Sequence, residues 1–322
     1  MMFSSSIVLT TLLLVTLYVG WLSGVKSADT VATPGSSSAD ESANGSIDLA
    51  YFEQQLQLKI TKSTMKNRKT SFGEAFKAAK PFPHFVISDM IPEVWIREVS
   101  MEIPDHQQSV NDCIAGGTCH SDNVHEKGRT VFNTPSYFGP ATEALHRFLR
   151  STPFLKYLQS ATGIDDLVAG HEDADAGVYQ TLHNGFEKVH SDFNMDKRRG
   201  LHRRVAVFLY LNPDWRHHYG GYLELWSRDL EHCEARIAPE LNTMVIFATT
   251  DFSFHGQQMP LACPVNRSHR MLVEYYYTRG RPSDECLKDN CFLVHEERYQ
   301  GTRCPACDGQ CFQKADTKDS DH

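Results

Sequence analysis

The stretch RVAVFLYLNPD, residues 204–214, is an apolar run of branched and aromatic residues that ends in the turn signal Asn212-Pro213-Asp214. Such a run predicts a β-strand closed by a turn. Many short strands at close spacing are typical of a sandwich or jelly roll. Five further runs of the same kind follow residue 177: VYQTL (178–182), YLELW (222–226), EARIA (234–238), TMVIFAT (243–249) and MLVEYYYT (271–278).

Upstream of these strands the pattern is more helical. KPFPHFVISDMIP (80–92) predicts a strand, followed by a helix with Pro92 in its first turn. Residues 141–162 have apolar side chains near helical spacing, and Pro153 should break or kink that helix. We therefore predict a mainly β protein of the α+β type, with a jelly-roll core supported by N-terminal helices.

A His-x-Asp motif could place two metal ligands side by side, because residues two apart on an extended segment project to the same side. The chain contains three copies: His120-Ser121-Asp122, His171-Glu172-Asp173 and His190-Ser191-Asp192. With sixteen histidines, chance accounts for at least one of them.

Context favours the third copy. His190 follows a predicted strand and precedes the long apolar run, a Gly-Gly turn and further strands. A candidate distal histidine, His255 in SFHG, comes later. Two imidazoles and one carboxylate on one face of a metal are typical of iron(II) oxygenases, which keep the other positions open. We predict that His190, Asp192 and His255 are the metal ligands.

Several ordered segments together resemble the 2-oxoglutarate/iron(II) dioxygenase superfamily, in the branch related to prolyl 4-hydroxylase catalytic domains. The resemblance covers roughly residues 80–282, which we predict to be the dioxygenase domain. The matching segments are KPFPHFVISDMIP (80–92), VHSDFN (189–194), RRVAVFLYLNPDW (203–215), YGGYLELW (219–226), NTMVIFATTDFSFHG (242–256) and RMLVEYYYTRGRP (270–282).

This resemblance implies a double-stranded β-helix, in which two sheets fold as a jelly roll. It also implies Fe(2+) and 2-oxoglutarate as cofactors, L-ascorbate as an accessory reductant and molecular oxygen as a substrate. The reaction would hydroxylate a C–H bond and release succinate and carbon dioxide. Protein side chains would hold the metal, orient the acid and exclude water.

The resemblance further implies a basic residue for the far carboxylate of 2-oxoglutarate, at the start of the last core strand. Arg267, His269 and Arg270 lie there, and Arg270 is our choice because it opens the run MLVEYYYT. Glu274 would share a face with Arg270, and would either pair with it or argue against this register. Tyr179 and Tyr210 match family positions near the cosubstrate, with packing in the core as the alternative.

The N-terminus predicts entry into the secretory pathway. Residues 7–25 are apolar and uncharged, about the length of a membrane-spanning helix. Residues 1–27 are therefore either a signal peptide or an uncleaved signal anchor that would make a single-pass membrane protein. Residues 28–79 are predicted as a linker or stem. The rest should lie in the lumen of the endoplasmic reticulum or Golgi.

Nine cysteines agree with an oxidising compartment. Cys113 and Cys119 predict a local disulfide, and Cys233 and Cys263 are either a second pair or separate thiols. Residues 283–322 form a cysteine-rich tail in which disulfides are favoured over zinc. Asn44 and Asn266 begin glycosylation sequons.

The leading function is a lumenal peptidyl hydroxylase, with proline as the first target residue. A hydroxylase of a small molecule and a jelly-roll binding module without catalysis are the alternatives, because substrate loops are not encoded by the iron motif. A zinc hydrolase would need a general base beside the metal, and no motif supplies one. The formal charge of -8 argues against nucleic acid as the main partner.

Overall fold

The computed structural model describes residue 54 and residues 72–103, 126–132, 137–171 and 176–287. These residues belong to one compact unit. The N-terminal apolar segment, most of the linker and nearly all of the cysteine-rich tail lie outside the described residues. Their predicted roles stay predictions.

Among the described residues, four α-helices of at least one full turn precede or interrupt the strands. They are α1 (Phe72–Ala78), α2 (Glu93–Glu102), α3 (Pro140–Leu149) and α4 (Thr152–Thr162). The helix predicted over 141–162 is therefore two helices, because Pro153 stands in the first turn of α4. Among the described residues, no helix has both the length and the apolar character needed to cross a membrane.

The eleven strands of the described chain form one curled antiparallel sheet, which confirms the predicted jelly-roll core. They are β1 (His84–Ser88), β2 (Glu126–Phe132), β3 (Val168–Ala169), β4 (Gly177–His190), β5 (Met195–Asp196), β6 (Leu201–Tyr210), β7 (Leu223–Trp226), β8 (Cys233–Ile237), β9 (Thr243–Ala248), β10 (His255–Gln257) and β11 (His269–Thr278). Two 3-10 turns, His217–Tyr219 and Ser283–Glu285, complete the described elements.

The main path of the sheet runs β1-β9-β6-β11-β4-β10-β7-β8, and β2 also pairs with β4. Strand β4 contributes to both halves of the roll, since it pairs with β11 near its start and with β10 at its end. All the strand pairs are antiparallel. This arrangement brings the end of β4 next to β10, where the metal ligands were predicted.

Successive side chains along the strands point alternately into two apolar cores. One core packs the helices against the outer face of the sheet and includes Leu209 and Leu272. The other fills the interior of the roll and includes Tyr210 and Met271. Since neighbouring residues on a strand face opposite sides, a shift of one residue decides which core a side chain joins.

Glu274 links β11 to the helices, and it does not pair with Arg270. Its carboxylate is fully buried between His146 of α3 and Arg150, just after that helix. The distance from Arg150 Nη1 to Glu274 Oε2 is 3.2 Å. Of the two roles left open for Glu274, pairing with Arg270 is therefore wrong.

Cys233 and Cys263 are free thiols, so the possibility that they form a pair is wrong. Cys286 is disulfide-bonded. Cys113, Cys119 and the other tail cysteines lie outside the described residues, and their pairing stays a prediction. Asn266 is exposed, as a glycosylation site requires, and its modification stays a prediction.

Candidate metal centre

Three side chains suited to holding a metal ion meet where β4 and β10 lie side by side: His190, Asp192 and His255. His190 is the last residue of β4, and His255, the first residue of β10, is its direct partner across the antiparallel pair. Asp192 follows in the loop that leaves β4. The three residues are buried, with relative exposures of 2%, 3% and 2%.

The ligand atoms of these residues lie close enough to share one ion. His190 Nε2 is 3.8 Å from Asp192 Oδ1, and His255 Nε2 is 4.0 Å from the same oxygen. All the candidate ligand atoms lie within 4.8 Å of one another. Two imidazole nitrogens and one carboxylate are the donor set of the non-heme iron(II) oxygenases, so the residues present fit that metal.

Backbone carbonyls orient both imidazoles. His190 Nδ1 donates to the Lys188 carbonyl at 2.8 Å, and His255 Nδ1 donates to the Ser253 carbonyl at 2.9 Å. A hydrogen on Nδ1 leaves the lone pair on Nε2, which is the atom facing Asp192. The chain therefore holds both rings in the tautomer that a metal ion needs.

The other two His-x-Asp copies do not join this cluster within the described structure. His171 is exposed, and Asp173 lies outside the described residues. The copy at His120 also lies outside them. Within the described residues, the copy chosen from its strand context, His190-Ser191-Asp192, meets His255.

The predicted tyrosines line the interior of the roll. Tyr210 and Tyr179 both pair with Met271, which places all three on one face of the sheet. Phe208 and Phe247 lie against His255, with ring centroids 5.9 and 4.8 Å from its ring. Contact of either tyrosine with a cosubstrate stays a prediction, as does its alternative role in packing.

Arg270 does not lie with the triad. Its neighbour Met271 faces the interior, so Arg270 faces the helices. Its guanidinium donates to the Ser100 carbonyl of α2 at 3.2 Å and to the Ser268 hydroxyl at 2.9 Å. The strand register therefore places Arg270 on the helix-facing side, one residue away from an interior position. Arg267 lies in the loop before β11, where it bonds to the Pro213 carbonyl.

His269, the remaining candidate, faces the interior. It pairs with Thr181 of β4, and its ring centroid lies 5.4 Å from that of Tyr210. Burial lowers the pKa of His269 to about 4, so the imidazole is neutral at physiological pH. Its Nε2 has no hydrogen-bond partner among the described residues.

This buried imidazole predicts a loss of stability in acid. Below its ordinary pKa of 6.5 the unfolded chain takes up a proton, whereas the folded metal-free protein keeps the ring neutral down to about pH 4. Stability should fall as the pH falls through that window, by roughly 3 kcal/mol in total. Urea denaturation of the wild type and His269→Asn at pH 7 and pH 4.5 measures the effect. An equal loss in both proteins would contradict it.

Sequence reasoning missed two charged residues of this interior. Arg129 of β2 forms an ion pair with Glu187 of β4, and its guanidinium carbon lies 4.6 Å from the ring centroid of Tyr179. Glu187 Oε1 is in turn 3.3 Å from His190 Nε2. The segment EKGRTVF offered a weak signal, a charged half followed by a short β-branched and aromatic half.

Residues 176–278 match the family model described as the 2OG-Fe(II) oxygenase superfamily. This segment contains the whole triad and strands β4 to β11. Curated proteins gave no match.

Several solved structures are similar to this chain. A Pseudomonas putida prolyl-4-hydroxylase is 15% identical with a TM-score of 0.43, over 65% of this chain and 100% of that one. A Trichoplax adhaerens prolyl hydroxylase, solved with a hypoxia inducible factor peptide fragment, is 15% identical with a TM-score of 0.41, over 73% and 94%. A Phytophthora capsici prolyl 4-hydroxylase is 18% identical with a TM-score of 0.44, over 76% and 71%. Because these similarities are distant, the family match is the comparison that bears on function.

Proposed function

We propose that this chain, whose residues 176–278 belong to the 2OG-Fe(II) oxygenase superfamily, is a dioxygenase that uses ferrous iron, 2-oxoglutarate and molecular oxygen. The observation that carries the proposal is the convergence of His190, Asp192 and His255 inside the family-matched segment. Their donor set suits iron(II) and leaves coordination positions open for a cosubstrate.

Iron and 2-oxoglutarate, when bound, would supply the oxidising chemistry that hydroxylates a substrate C–H bond and releases succinate and carbon dioxide. The chain's own residues would hold the metal ion and shield the site from water. The carbonyls of Lys188 and Ser253 accept hydrogen bonds from Nδ1 of the two imidazoles, which would leave each Nε2 available to a bound ion. The rings of Phe208 and Phe247 exclude water beside His255.

For the substrate we propose a peptidyl residue, with proline as the leading candidate and ascorbate as the accessory reductant. The support is the resemblance of the ordered sequence segments to prolyl 4-hydroxylase catalytic domains. A small-molecule substrate is the alternative within the same chemistry. A peptide hydroxylase should turn over 2-oxoglutarate faster when a peptide is added, whereas a small-molecule hydroxylase should respond to a metabolite instead.

The test is succinate formation by the purified full-length protein with ferrous iron, ascorbate and 2-oxoglutarate. We expect slow succinate formation without substrate and faster formation with one member of a panel of proline-containing peptides. Mass spectrometry should then find one added oxygen atom on that peptide. No succinate under any condition, from protein that binds iron, would reject the dioxygenase proposal.

We also propose that the catalytic domain lies in the lumen of the secretory pathway, attached to the membrane if the N-terminal segment is not cleaved. The support is the apolar segment at residues 7–25, the two sequons and the nine cysteines. In intact microsomes we expect protease to leave the domain undegraded until detergent is added. Degradation without detergent would place the domain in the cytosol and reject the proposal.

A further inference from the structure

We propose that Arg129, together with His269, binds the far carboxylate of 2-oxoglutarate, and that Glu187 occupies the Arg129 guanidinium until the cosubstrate displaces it. The inference rests on the proposed function, since it assigns a binding site for that cosubstrate. It concerns a residue of β2, outside the family-matched segment.

Strand register places Arg129 and His269 on the same face of the sheet. Arg129 of β2 and His269 of β11 both pair with Thr181 of the intervening strand β4. Since directly opposed residues point to the same side, the three side chains form one row facing the interior. The neighbouring row contains Tyr179 and Met271, which line the same interior core.

His269 alone cannot neutralise a carboxylate. Its imidazole is uncharged at physiological pH, as its lowered pKa of about 4 requires. It can still contribute a hydrogen bond, because its buried Nε2 has no partner among the described residues. A buried carboxylate needs a cation in addition, and Arg270 faces away from the interior.

Arg129 supplies that cation. Burial by itself would lower the pKa of Arg129, but the carboxylate of Glu187 raises it above the ordinary value, so the guanidinium stays charged. Arg203 is a second arginine near the interior, but its guanidinium stacks 3.7 Å from the Tyr275 ring centroid and donates to the Tyr277 hydroxyl. Arg129, and not Arg203, is among the charges that act on His269.

Glu187 lies between the metal ligands and this cation. Its Oε1 contacts both the Arg129 guanidinium and, at 3.3 Å, His190 Nε2. Glu126 also contacts Arg129, at 3.0 Å, so two carboxylates already share one guanidinium. A dianionic cosubstrate arriving there would face excess negative charge. Glu187 must therefore leave Arg129 for the cosubstrate to bind, and the two compete.

The experiment measures calorimetric binding of 2-oxoglutarate to full-length protein loaded with Mn²⁺, which replaces iron without turnover. Arg129→Met should weaken binding about 30-fold or more, because a buried carboxylate loses its charged partner. Arg129→Lys keeps the charge but loses the planar fork, so it should weaken binding less. The Mn²⁺ affinity of both Arg129 variants, titrated separately by electron paramagnetic resonance, should stay within about threefold of the wild-type value. A change of that size is small compared with the usual coupling between two binding sites.

Glu187→Gln should strengthen 2-oxoglutarate binding about fivefold or more, as removal of a competing site would. Glu126→Gln is the matched control. Glu126 pairs with the same guanidinium and is equally buried, with side-chain exposures of 17% for Glu126 and 16% for Glu187, but the contact to His190 belongs to Glu187. We expect Glu126→Gln to change 2-oxoglutarate binding much less than Glu187→Gln does.

Three outcomes would overturn the inference. Wild-type affinity in both Arg129 variants would exclude this arginine as the anchor. Weaker binding in Glu187→Gln, or an equal gain in Glu126→Gln, would exclude competition by Glu187. A loss of Mn²⁺ affinity in Glu187→Gln would make Glu187 a metal ligand instead. By contrast, wild-type protein that binds Mn²⁺ but not 2-oxoglutarate would reject the proposed function itself.

Discussion

Replacing His255 with alanine should remove metal binding and succinate formation together. His255 contributes one of the two nitrogens that face Asp192 Oδ1, and alanine offers no ligand atom in its place. Loss of an outer-sphere partner already costs about 10–100-fold in metal affinity or activity, so loss of a ligand should cost more than about 100-fold. Bound iron per chain and the rate of succinate formation are the two measurements.

His171→Ala is the matched control for that experiment. His171 also begins a His-x-Asp motif, but its side chain is exposed. It should retain wild-type iron content and turnover. Full activity in His255→Ala, or loss of iron only in His171→Ala, would show that the chain binds its metal elsewhere.

Of the substitutions proposed here, Glu274→Ala should lower the free energy of unfolding most, by about 3–5 kcal/mol. Glu274 is fully buried and pairs with Arg150 and His146, so its removal leaves a mostly buried guanidinium without its carboxylate. At about 2–4 °C per kcal/mol for a domain of this size, the melting temperature should fall by roughly 6–20 °C. Thermal unfolding of the metal-free protein gives the value directly.

Glu143→Ala controls for charge removal in the same region. Glu143 pairs with Arg147 on α3 at 2.9 Å, but both side chains are about half exposed. Exposed pairs contribute about 0–1 kcal/mol. Similar losses in the two variants would mean that the buried position of Glu274 gives it no special role.

The fold and the triad could be predicted from the sequence because their signals are local. Runs such as RVAVFLYL carry the composition and turns of buried strands, and β6, β9 and β11 lie close to where those runs predicted them. The triad needed one further step, since three His-x-Asp copies exist. The strand before His190 singled out the copy that the described structure places beside His255, because strand ends are where the sheet brings distant residues together.

The residues that we propose as anchors of the cosubstrate, Arg129 and His269, could not be singled out from the sequence, for two physical reasons. His269 and Arg270 are neighbours, and one residue of register separates the interior from the helix-facing side. Strand β2 was missed because a bulge interrupts its alternation: Gly128 has φ of 68°, and the register shifts between Lys127 and Arg129. Without β2, nothing in the sequence placed Arg129 beside β4.

The position of β11 has a consequence for biosynthesis. It is the last strand in the described chain, yet it lies between β6 and β4 in the sheet. Until the ribosome has released residues 269–278, β4 and β6 each present an unpaired edge, and such edges favour misassociation of nascent chains. Pairing across so many intervening residues also gives a high contact order, which slows folding. Strand β4, which carries His190, therefore completes its hydrogen bonds only after β11 has been translated. The metal site then depends on a late folding step, the pairing of β11 with β4.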